Sequence, residues 1–441
     1  MTELRDLPPG WASARIGDLG EIMLGRQRAP KWHQGPNMRP YLRVKNVFED
    51  RIDLSDVKEM DFPPGDYEKY KLEPGDVLLN EGQSPELVGR PAMYRGELPG
   101  ACFTNSLIRF RPYDGVDGRY ALFGFRWLLH SGRFQREARI TTNIAHLSSK
   151  RFASVEFPVA PTAEQERIVA AIEEHFSRLD AAEASIGTAL AKLRRLATAL
   201  LEVATSGDWP TMQLDELLLS LRNGCFVSRP HAKPPGQAIF RISAVRPLRL
   251  NTDDVRYAPL SLPNAEDYRV MAGDLLFTRY SGNPAYVGAC VVVPERGAGV
   301  LHPDKLIRGV VDRAKAAPEW IALAVSSAVG RVEIEKRLKT TAGQVGIAGG
   351  QLKSVPIPVP PLDTQARRVE GWQEASDRVA RTSAALLAHS QRAGVLRRAI
   401  FRAAFAGQLV SQDPADEPAS DLLERMGTPR KQPVRRARAA S

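Results

Sequence analysis

The sequence PVAPTAEQ at residues 158–165 returns as PVPPLDTQ at residues 358–365. Upstream of each copy, LEPGDVLL at 72–79 returns as VMAGDLLF at 270–277. The two pairs are offset by 200 and 198 residues, so the register between the copies is kept. A period this long exceeds that of a solenoid repeat and indicates two duplicated domains.

Shorter matches keep the same register along the chain. They pair YLRV with IFRI (41–44 and 239–242), SPELVG with NPAYVG (84–89 and 283–288), and TT with TT (141–142 and 340–341). The segments between these matches diverge much more. A shared frame with divergent surfaces suits two modules that read two different targets.

Short runs of β-branched and aromatic residues, broken by Gly, Pro and Asp, predict strands in each copy. Examples are 77–79, 107–110, 275–277 and 287–293, and helices are predicted at 118–137 and 319–338. Each globular part is therefore expected to be α+β with a substantial sheet. For the whole chain we expect two tandem homologous globular domains separated by a pair of long antiparallel coiled-coil helices.

A long helix is predicted after each Pro-rich exit, because apolar residues recur there mainly in steps of three and four. A helix of about 40 residues spans roughly 60 Å, and one with a narrow apolar seam needs a partner helix. The two helices can supply each other, which favours an antiparallel pair; the alternative is that each packs on its own domain. The residues predicted to pack in this seam are Ile172, Phe176, Leu179, Ile186, Leu190, Leu193 and Leu200 in the first helix, and Trp372, Val379, Leu386, Leu396 and Ile400 in the second.

The chain has 441 residues, a net charge of +10 and a pI of about 9.6, which permits a polyanionic partner. Five of the cations lie within residues 430–438, in a tail that we expect to be solvated and disordered. The three widely spaced cysteines (Cys102, Cys225 and Cys290) favour a reducing cytoplasm over a disulfide framework or a zinc site. Since the sequence has neither a signal peptide nor an apolar run of about 18 residues, we expect no membrane partner.

Motifs for catalysis are missing from the sequence. It contains neither a GxxxxGK[ST] phosphate loop nor a GxGxxG that opens a helix after a strand, and its seven histidines do not have the spacing of zinc ligands. Asn283-Pro284-Ala285-Tyr286 is one residue away from the Asn-Pro-Pro-Tyr of amino-methyltransferases. The first copy has Ser84-Pro85-Glu86-Leu87 at this place, so we interpret both segments as turns.

Four segments in this order resemble the specificity subunits of type I restriction-modification enzymes. They are LPPGW with RIGDLGEI (7–11 and 15–22), PTAEQERIV with FSRLD (161–169 and 176–180), LRRAIFRAAFAGQLV (396–410), and the stretch 413–425. Together with the duplication, the resemblance covers nearly the whole chain. It implies target recognition domain 1 at 1–160, a central spacer helix at 161–207, target recognition domain 2 at 208–360, a C-terminal spacer helix at 361–410, and a C-terminal segment with the basic tail at 411–441.

The resemblance also implies a function. Each globular half would read one part of a split, asymmetric sequence in double-stranded DNA, and the helix pair would fix the gap between the parts. Methyltransferase subunits, expected to be two, and motor/nuclease subunits would dock on the chain. S-adenosylmethionine, ATP and magnesium would then be bound by these partner subunits, and this chain would be non-catalytic and would bind no cofactor or metal.

Base reading requires Arg, Lys, Asn, Gln or Ser side chains on loops that can enter a groove. The main candidates follow the Gly-Asp strand of each copy, and the alternative for each is a polar surface turn. Among the further candidates, Thr142, Asn143, Thr341 and Gln344 precede helices, where backbone amides could hold phosphate, a contact that positions the DNA without specifying its sequence. In the first copy they are Arg26, Arg28, Lys31, Lys45, Asn46, Asn80, Gln83, Ser84, Asn105, Ser106, Thr142 and Asn143. In the second copy they are Arg222, Asn223, Arg229, Thr278, Arg279, Tyr280, Ser281, Asn283, Lys305, Arg308, Thr341 and Gln344.

Two other functions are compatible with part of the sequence. The chain could be a coiled-coil scaffold whose globular heads bind protein, which a test of sequence-specific DNA protection would separate from a DNA reader. It could also be a self-sufficient methyltransferase, but this would require the glycine loop that the sequence lacks.

Overall fold

The computed structural model describes residues 7–141, 143–341 and 344–427. The chain divides into two compact units, Met1–Ser185 with His389–Ser441 (unit 1) and Ile186–Ala388 (unit 2). Each unit therefore contains one globular part and a segment from each of the two long helices. The C-terminal segment also belongs to unit 1.

The globular part of unit 1 is a set of small sheets with short helices. Its strands are β1 (Ala12–Arg15), β2 (Gly20–Leu24), β3 (Met38–Leu42), β4 (Val47–Phe48), β5 (Arg51–Ile52), β6 (Lys58–Asp61), β7 (Val77–Asn80), β8 (Gly82–Gln83), β9 (Pro91–Met93), β10 (Cys102–Phe103), β11 (Leu107–Pro112), β12 (Arg139–Thr141), β13 (Ile144–His146) and β14 (Glu156–Val159). Its α-helices are α1 (Ile16–Leu19), α2 (Pro64–Tyr70), α3 (Gly118–His130), α4 (Arg133–Glu137) and α5 (Ser149–Ala153). Helix α6 (Thr162–Thr205) follows.

The sheet that organises unit 1 has the strand order β2-β11-β7-β9 and is antiparallel. Every residue of β7 is buried, as is expected for a central strand covered on both faces. Helix α3 packs on this sheet, with the ring of Phe125 edge-on to that of Phe110 at 5.1 Å. The Gly-Asp strand predicted from the sequence thus lies in the interior of the unit.

Unit 2 repeats this arrangement. Its strands are β15 (Thr211–Gln213), β16 (Leu218–Asn223), β17 (Gln237–Phe240), β18 (Val245–Arg246), β19 (Arg249–Leu250), β20 (Val255–Ala258), β21 (Leu275–Thr278), β22 (Tyr280–Ser281), β23 (Cys290–Val292), β24 (Leu306–Val311), β25 (Lys339–Thr341), β26 (Gln344–Gly346) and β27 (Pro356–Pro358). Its shorter helices are α7 (Pro318–Ser326), α8 (Ala328–Glu335) and α9 (Gly349–Lys353), and they are followed by α10 (Leu362–Ala404) and, in unit 1, α11 (Ala419–Gly427). The main sheet has the order β16-β24-β21-β23, which matches β2-β11-β7-β9 strand for strand. The duplication predicted from the sequence is therefore a duplication of the fold.

The two long helices run antiparallel where they meet in each unit. In unit 1, Phe176 of α6 lies edge-on to Phe401 of α10 at 5.1 Å, and Arg397 reaches Glu183. In unit 2, the Arg368 guanidinium donates to the carbonyl of Val203 at 2.7 Å. Increasing positions on one helix thus meet decreasing positions on the other, and the predicted helix pair is confirmed.

The inward positions of α10 differ from the prediction at one place. Leu396 is 49% exposed, whereas Ala393 is buried and Arg397 is half-buried. The less exposed positions of this helix alternate in steps of four and three (379, 383, 386, 390, 393, 397 and 400), which is a heptad seam. Since small and polar residues occupy several of these positions, counting apolar residues alone assigned Leu396 to the seam wrongly. The other predicted seam residues are buried or half-buried.

Two further features of the chain concern its environment. Its three cysteines are buried and are not joined in disulfides. Across residues 7–141, 143–341 and 344–427, no helix combines the length and apolar character needed to cross a bilayer.

Candidate nucleic-acid interface

In each unit, many of the predicted DNA-contacting residues lie on a small three-stranded sheet and on the turn that precedes the β11 or β24 strand. The small sheet has the order β12-β13-β8 in unit 1 and β22-β26-β25 in unit 2. Backbone hydrogen bonds join it to the turn: Glu81 N–H donates to the Ser106 carbonyl at 3.0 Å, and Arg279 N–H donates to the Lys305 carbonyl at 2.9 Å. The fold therefore brings together segments far apart in sequence, at equivalent places in both units.

An exchange of side chains distinguishes the two small sheets. In unit 1, His146 of β13 pairs with Gly82 of β8, and a side chain at Gly82 would come within 3.1 Å of the His146 ring. In unit 2, the ring is on the other strand, since Tyr280 of β22 pairs with Gly346 of β26 and a Cβ there would lie 2.4 Å from it. In both units, this strand pair packs an aromatic ring against a glycine. The ring is a histidine on the later strand in unit 1 and a tyrosine on the earlier strand in unit 2.

The charge at the start of this sheet is reversed between the units. Glu81 of unit 1 lies 3.2 Å from the ring nitrogen of His146. Arg279 stands at the matching place in unit 2, where its guanidinium lies over the Tyr280 ring at 4.8 Å and donates to the Asp304 carbonyl at 3.2 Å. A carboxylate accepts hydrogen bonds, whereas a guanidinium donates them and matches the acceptors of guanine. The two units consequently present different chemistry from one backbone frame.

Unit 2 contains an open cleft with a volume of about 670 Å³, which Asp304 and Lys305 of the adjoining turn help to line. Two predicted residues, Arg229 and Lys305, line it, and both are exposed. Arg241 and Arg256 line it as well, and Asp304 is the acidic residue among the lining side chains. The cleft therefore carries a surplus of positive charge, which suits a polyanion.

Four predicted DNA-contacting residues (Arg26, Asn46, Asn80 and Thr278) are buried rather than exposed on loops, and Arg308 is half-buried. Hydrogen bonds within their own unit or a place in a central strand hold these residues. They therefore support the structure of the candidate interface. Asn46 donates to the carbonyls of Asp53 and Asp56, and Asn80 donates to that of Val47. Arg26 donates to the Asp61 carbonyl and pairs with Asp66, Arg308 donates to Asp274 at 2.7 Å, and Thr278 ends buried strand β21.

The remaining predicted residues are at least partly accessible, and their DNA contacts stay predictions. Lys45 is exposed but pairs with Asp56 at 2.7 Å, and Asn283 accepts a hydrogen bond from the Ala285 N–H, which confirms that the NPAY segment is a turn. The others that are exposed or half-buried are Arg28, Lys31, Gln83, Ser84, Asn105, Ser106, Asn143, Arg222, Asn223, Arg229, Arg279, Tyr280, Ser281, Lys305 and Gln344. Thr142 and the side chain of Thr341 lie outside the described part of the chain.

Sequence reasoning missed four basic residues at this surface. They are Arg43 and Lys58 in unit 1, and Arg241 and Arg256 in unit 2. Arg43 and Arg241 occupy equivalent positions, and each pairs with an aspartate: Arg43 with Asp56 at 2.8 Å and Arg241 with Asp254 at 3.1 Å. The sequence contains a signal that could have found them. The first arginine, its aspartate and the second basic residue of unit 1 each lie 198 residues before their counterparts in unit 2.

The electrostatics of Asp56 reflect this arrangement. Hydrogen bonds from Lys45 and Arg43 lower the pKa of the Asp56 carboxyl to about 2. The carboxylate is therefore charged throughout the neutral range and orients both cations.

Comparisons with known proteins agree on one family. Residues 8–188 match the family model described as "Type I restriction modification DNA specificity domain". The type I restriction enzyme EcoKI specificity subunit of Escherichia coli (strain K12) is 27% identical over 95% of this chain and 92% of its own length. The StySPI specificity subunit of Salmonella potsdam is 23% identical over the same shares of the two chains.

Solved structures show the same fold. A chain from "Structural basis underlying complex assembly and conformational transition of the type I R-M system" superimposes with a TM-score of 0.72 at 18% identity, covering 91% of this chain and 99% of that one. The HsdS subunit from Thermoanaerobacter tengcongensis gives 0.59 at 20% identity, covering 92% and 100%. Residues 8–188 therefore match a type I restriction modification DNA specificity domain, and along nearly its whole length the chain is similar to type I restriction enzyme specificity subunits.

Proposed function

We propose that this chain recognises a bipartite, asymmetric DNA sequence, of which each unit reads one part. The observation that carries the proposal is the duplicated frame with divergent surface chemistry. Both units place a three-stranded sheet and its adjoining turn at the same position, yet Glu81 and His146 in one correspond to Arg279 and Gly346 in the other. Two similar readers with different side chains would select two different half-sites.

The long helices would set the spacing between the two half-sites. Helices α6 and α10 are uninterrupted over 44 and 43 residues. A paired helix is stiff, so the number of base pairs left unread would follow from helix length. Inserting or deleting residues in both helices would then change the spacer and leave the half-sites unaltered.

The remaining parts of the proposal concern the partners. Two methyltransferase subunits would dock on this chain and motor/nuclease subunits would join them. S-adenosylmethionine, ATP and magnesium would be bound by those subunits. The proposal receives support from the family model that residues 8–188 match and from the full-length relatives of the chain.

Genome-wide mapping of methylated adenines tests this function. The chain is expressed with the methyltransferase encoded beside it, and the map is compared with that of a strain lacking the chain. We expect a split, asymmetric motif that disappears without the chain. An unchanged methylation pattern would contradict the proposal and favour a scaffold whose globular parts bind protein.

A further inference from the structure

We propose that register-matched cations in the two units bind the DNA phosphates and that the residues around them, which differ between the units, read the bases. The matched cations are Arg43 and Lys58 in unit 1 and Arg241 and Arg256 in unit 2. This inference rests on the proposed function, because it assumes that both units contact DNA. It divides the surface into a positioning part common to both units and a specificity part of each.

The two cations of each unit are placed by one pair of strands. In unit 2, Arg256 of β20 stands opposite Ile239 of β17, and Arg241 follows the end of β17 directly. In unit 1, Lys58 of β6 stands opposite Tyr41 of β3, and Arg43 follows the end of β3. The strand register is therefore the same, and it places both cations near the same end of the strand pair.

An acidic partner orients the arginine in both units. Asp254 accepts a hydrogen bond from Arg241 and another from the Ser243 hydroxyl. Asp56 accepts from Lys45 and pairs with Arg43. A guanidinium held on one side by a carboxylate keeps further N–H donors for a phosphate, and its held geometry reduces the entropy lost on binding.

A comparison of the two units distinguishes the residues proposed to bind phosphate from those proposed to read bases. The two copies diverge strongly over their surfaces, yet an arginine, its aspartate and a second cation are kept at an offset of 198 residues. A contact that every DNA sequence offers would be kept in this way, and the backbone phosphate is such a contact.

The neighbours of these cations differ between the units. Asn105 and Ser106 of unit 1 correspond to Asp304 and Lys305 of unit 2, and both pairs directly precede the main-sheet strand. Lys45 corresponds to Ser243. In unit 2 these variable residues line the same cleft as Arg241 and Arg256. A phosphate held by the arginines would therefore bring the adjoining bases near the variable residues.

The test uses the full-length chain with its methyltransferase subunit and two duplexes, one with the methylated motif and one without it. In the double variant Arg241→Gln/Arg256→Gln we expect affinity to fall about tenfold or more on both duplexes. The slope of log K against log salt should become shallower by about two, because each lost phosphate contact releases fewer counterions. The methylated motif should remain the same.

A matched control carries the same change in charge elsewhere on unit 2. Arg249 and Arg296 are exposed and do not line the cleft, so Arg249→Gln/Arg296→Gln should leave the salt slope close to that of the wild type. Arg256→Lys keeps the charge and should retain the affinity, which guards against loss by misfolding. Equal salt slopes in the cleft variant and the control would overturn the proposal, as would a changed motif in the cleft variant. Failure of the proposed function would look different, because the wild-type complex would then show no split motif.

Discussion

The Arg397 guanidinium donates a hydrogen bond of 2.6 Å to the Glu183 carboxylate and so joins α10 to α6 within unit 1. Arg397 also bonds to Asp180, and these carboxylates raise the pKa of Arg397 despite its partial burial. Arg397 and Glu183 both occupy inward positions of the helix seam, where most other side chains are apolar or small. A polar pair at such a position fixes the register of two helices, because a shifted register would leave the charges without partners.

The first prediction concerns this pair. Arg397→Ala should lower the free energy of unfolding by about 1–3 kcal/mol, because Glu183 then loses its charged partner at a half-buried position. The double variant Glu183→Leu/Arg397→Leu should recover most of this loss, since two apolar side chains suit the seam. Chemical unfolding followed by circular dichroism measures both. Arg398→Ala, at the exposed neighbouring position, is the control, and an equal loss there would contradict the account.

The second prediction concerns two buried glutamines that link the long helices to the globular parts. The Gln165 amide accepts from the Asp117 N–H at 3.0 Å and donates to the Ala160 carbonyl at 2.9 Å. Gln365 repeats this with the Ala317 N–H and the Pro360 carbonyl, both at 2.8 Å. Replacing either with alanine leaves a partly buried N–H at a helix start and a buried carbonyl without their side-chain partner.

We therefore expect Gln165→Ala and Gln365→Ala each to cost about 2–4 kcal/mol of unfolding free energy. Glu370→Ala, at an exposed position of α10, should change it little. Hydrogen–deuterium exchange should show the loosening in unit 1 for Gln165→Ala and in unit 2 for Gln365→Ala. Loosening of the same unit in both variants would be inconsistent with the duplicated arrangement.

The third prediction is a pH dependence in unit 1. Burial disfavours the charged form of Glu49, but hydrogen bonds from His130 and Arg126 outweigh it and lower the pKa of Glu49 from 4.5 to about 2. Because the folded-state pKa is the lower one, the stabilisation is fully present above pH 4.5 and is lost as the pH falls towards 2. A shift of this size corresponds to about 3 kcal/mol.

Glu49→Gln should accordingly destabilise the protein by about 1–3 kcal/mol at neutral pH. The difference from the wild type should shrink progressively as the pH is lowered below 4.5. Thermal unfolding over a pH series measures this, with Glu86→Gln at an exposed position as the control. A difference that stays constant from pH 7 to about pH 3 would show that the Glu49 charge does not stabilise the fold.

The fourth prediction concerns base reading by Arg279. Its hydrogen bond to the Asp304 carbonyl and its position over Tyr280 hold the guanidinium next to Asp304, which lines the unit 2 cleft. Arg279→Ala should relax the preference at one position of one half-site by about 1–3 kcal/mol and leave the other half-site unchanged. Methylation mapping reports the relaxed position. Weaker methylation of all sites without a change of motif would instead make Arg279 a phosphate contact.

Much of the fold could be predicted from the sequence, because the signals were local or periodic. The repeated PVAPTAEQ and PVPPLDTQ segments identified the duplication, and their glutamines make matching hydrogen bonds in the two units. The apolar steps along 164–204 predicted α6 and its inward face. The error at Leu396 arose because serine, alanine and arginine occupy inward positions of α10, where a search for large apolar residues does not find them.

The candidate site could be predicted less well, because residue type does not determine the direction of a side chain. Asn80 and Arg308 have the chemistry to read bases, yet one is enclosed by its own unit and the other pairs with buried Asp274. Conversely, Arg241 and Arg256 stood in no recognisable motif, and the cleft that they line forms from segments far apart in sequence. A position-by-position comparison of the two copies identifies the shared cations, which a list of polar residues does not.

The central claim is that each unit reads one half of a split DNA site. The most direct test replaces residues 7–160 with the corresponding segment of a family member that has a different motif and maps methylated adenines genome-wide. We predict that one half of the motif changes to that of the donor, while the other half and the spacer length stay the same. A motif that changes in both halves, or in neither, would contradict the claim.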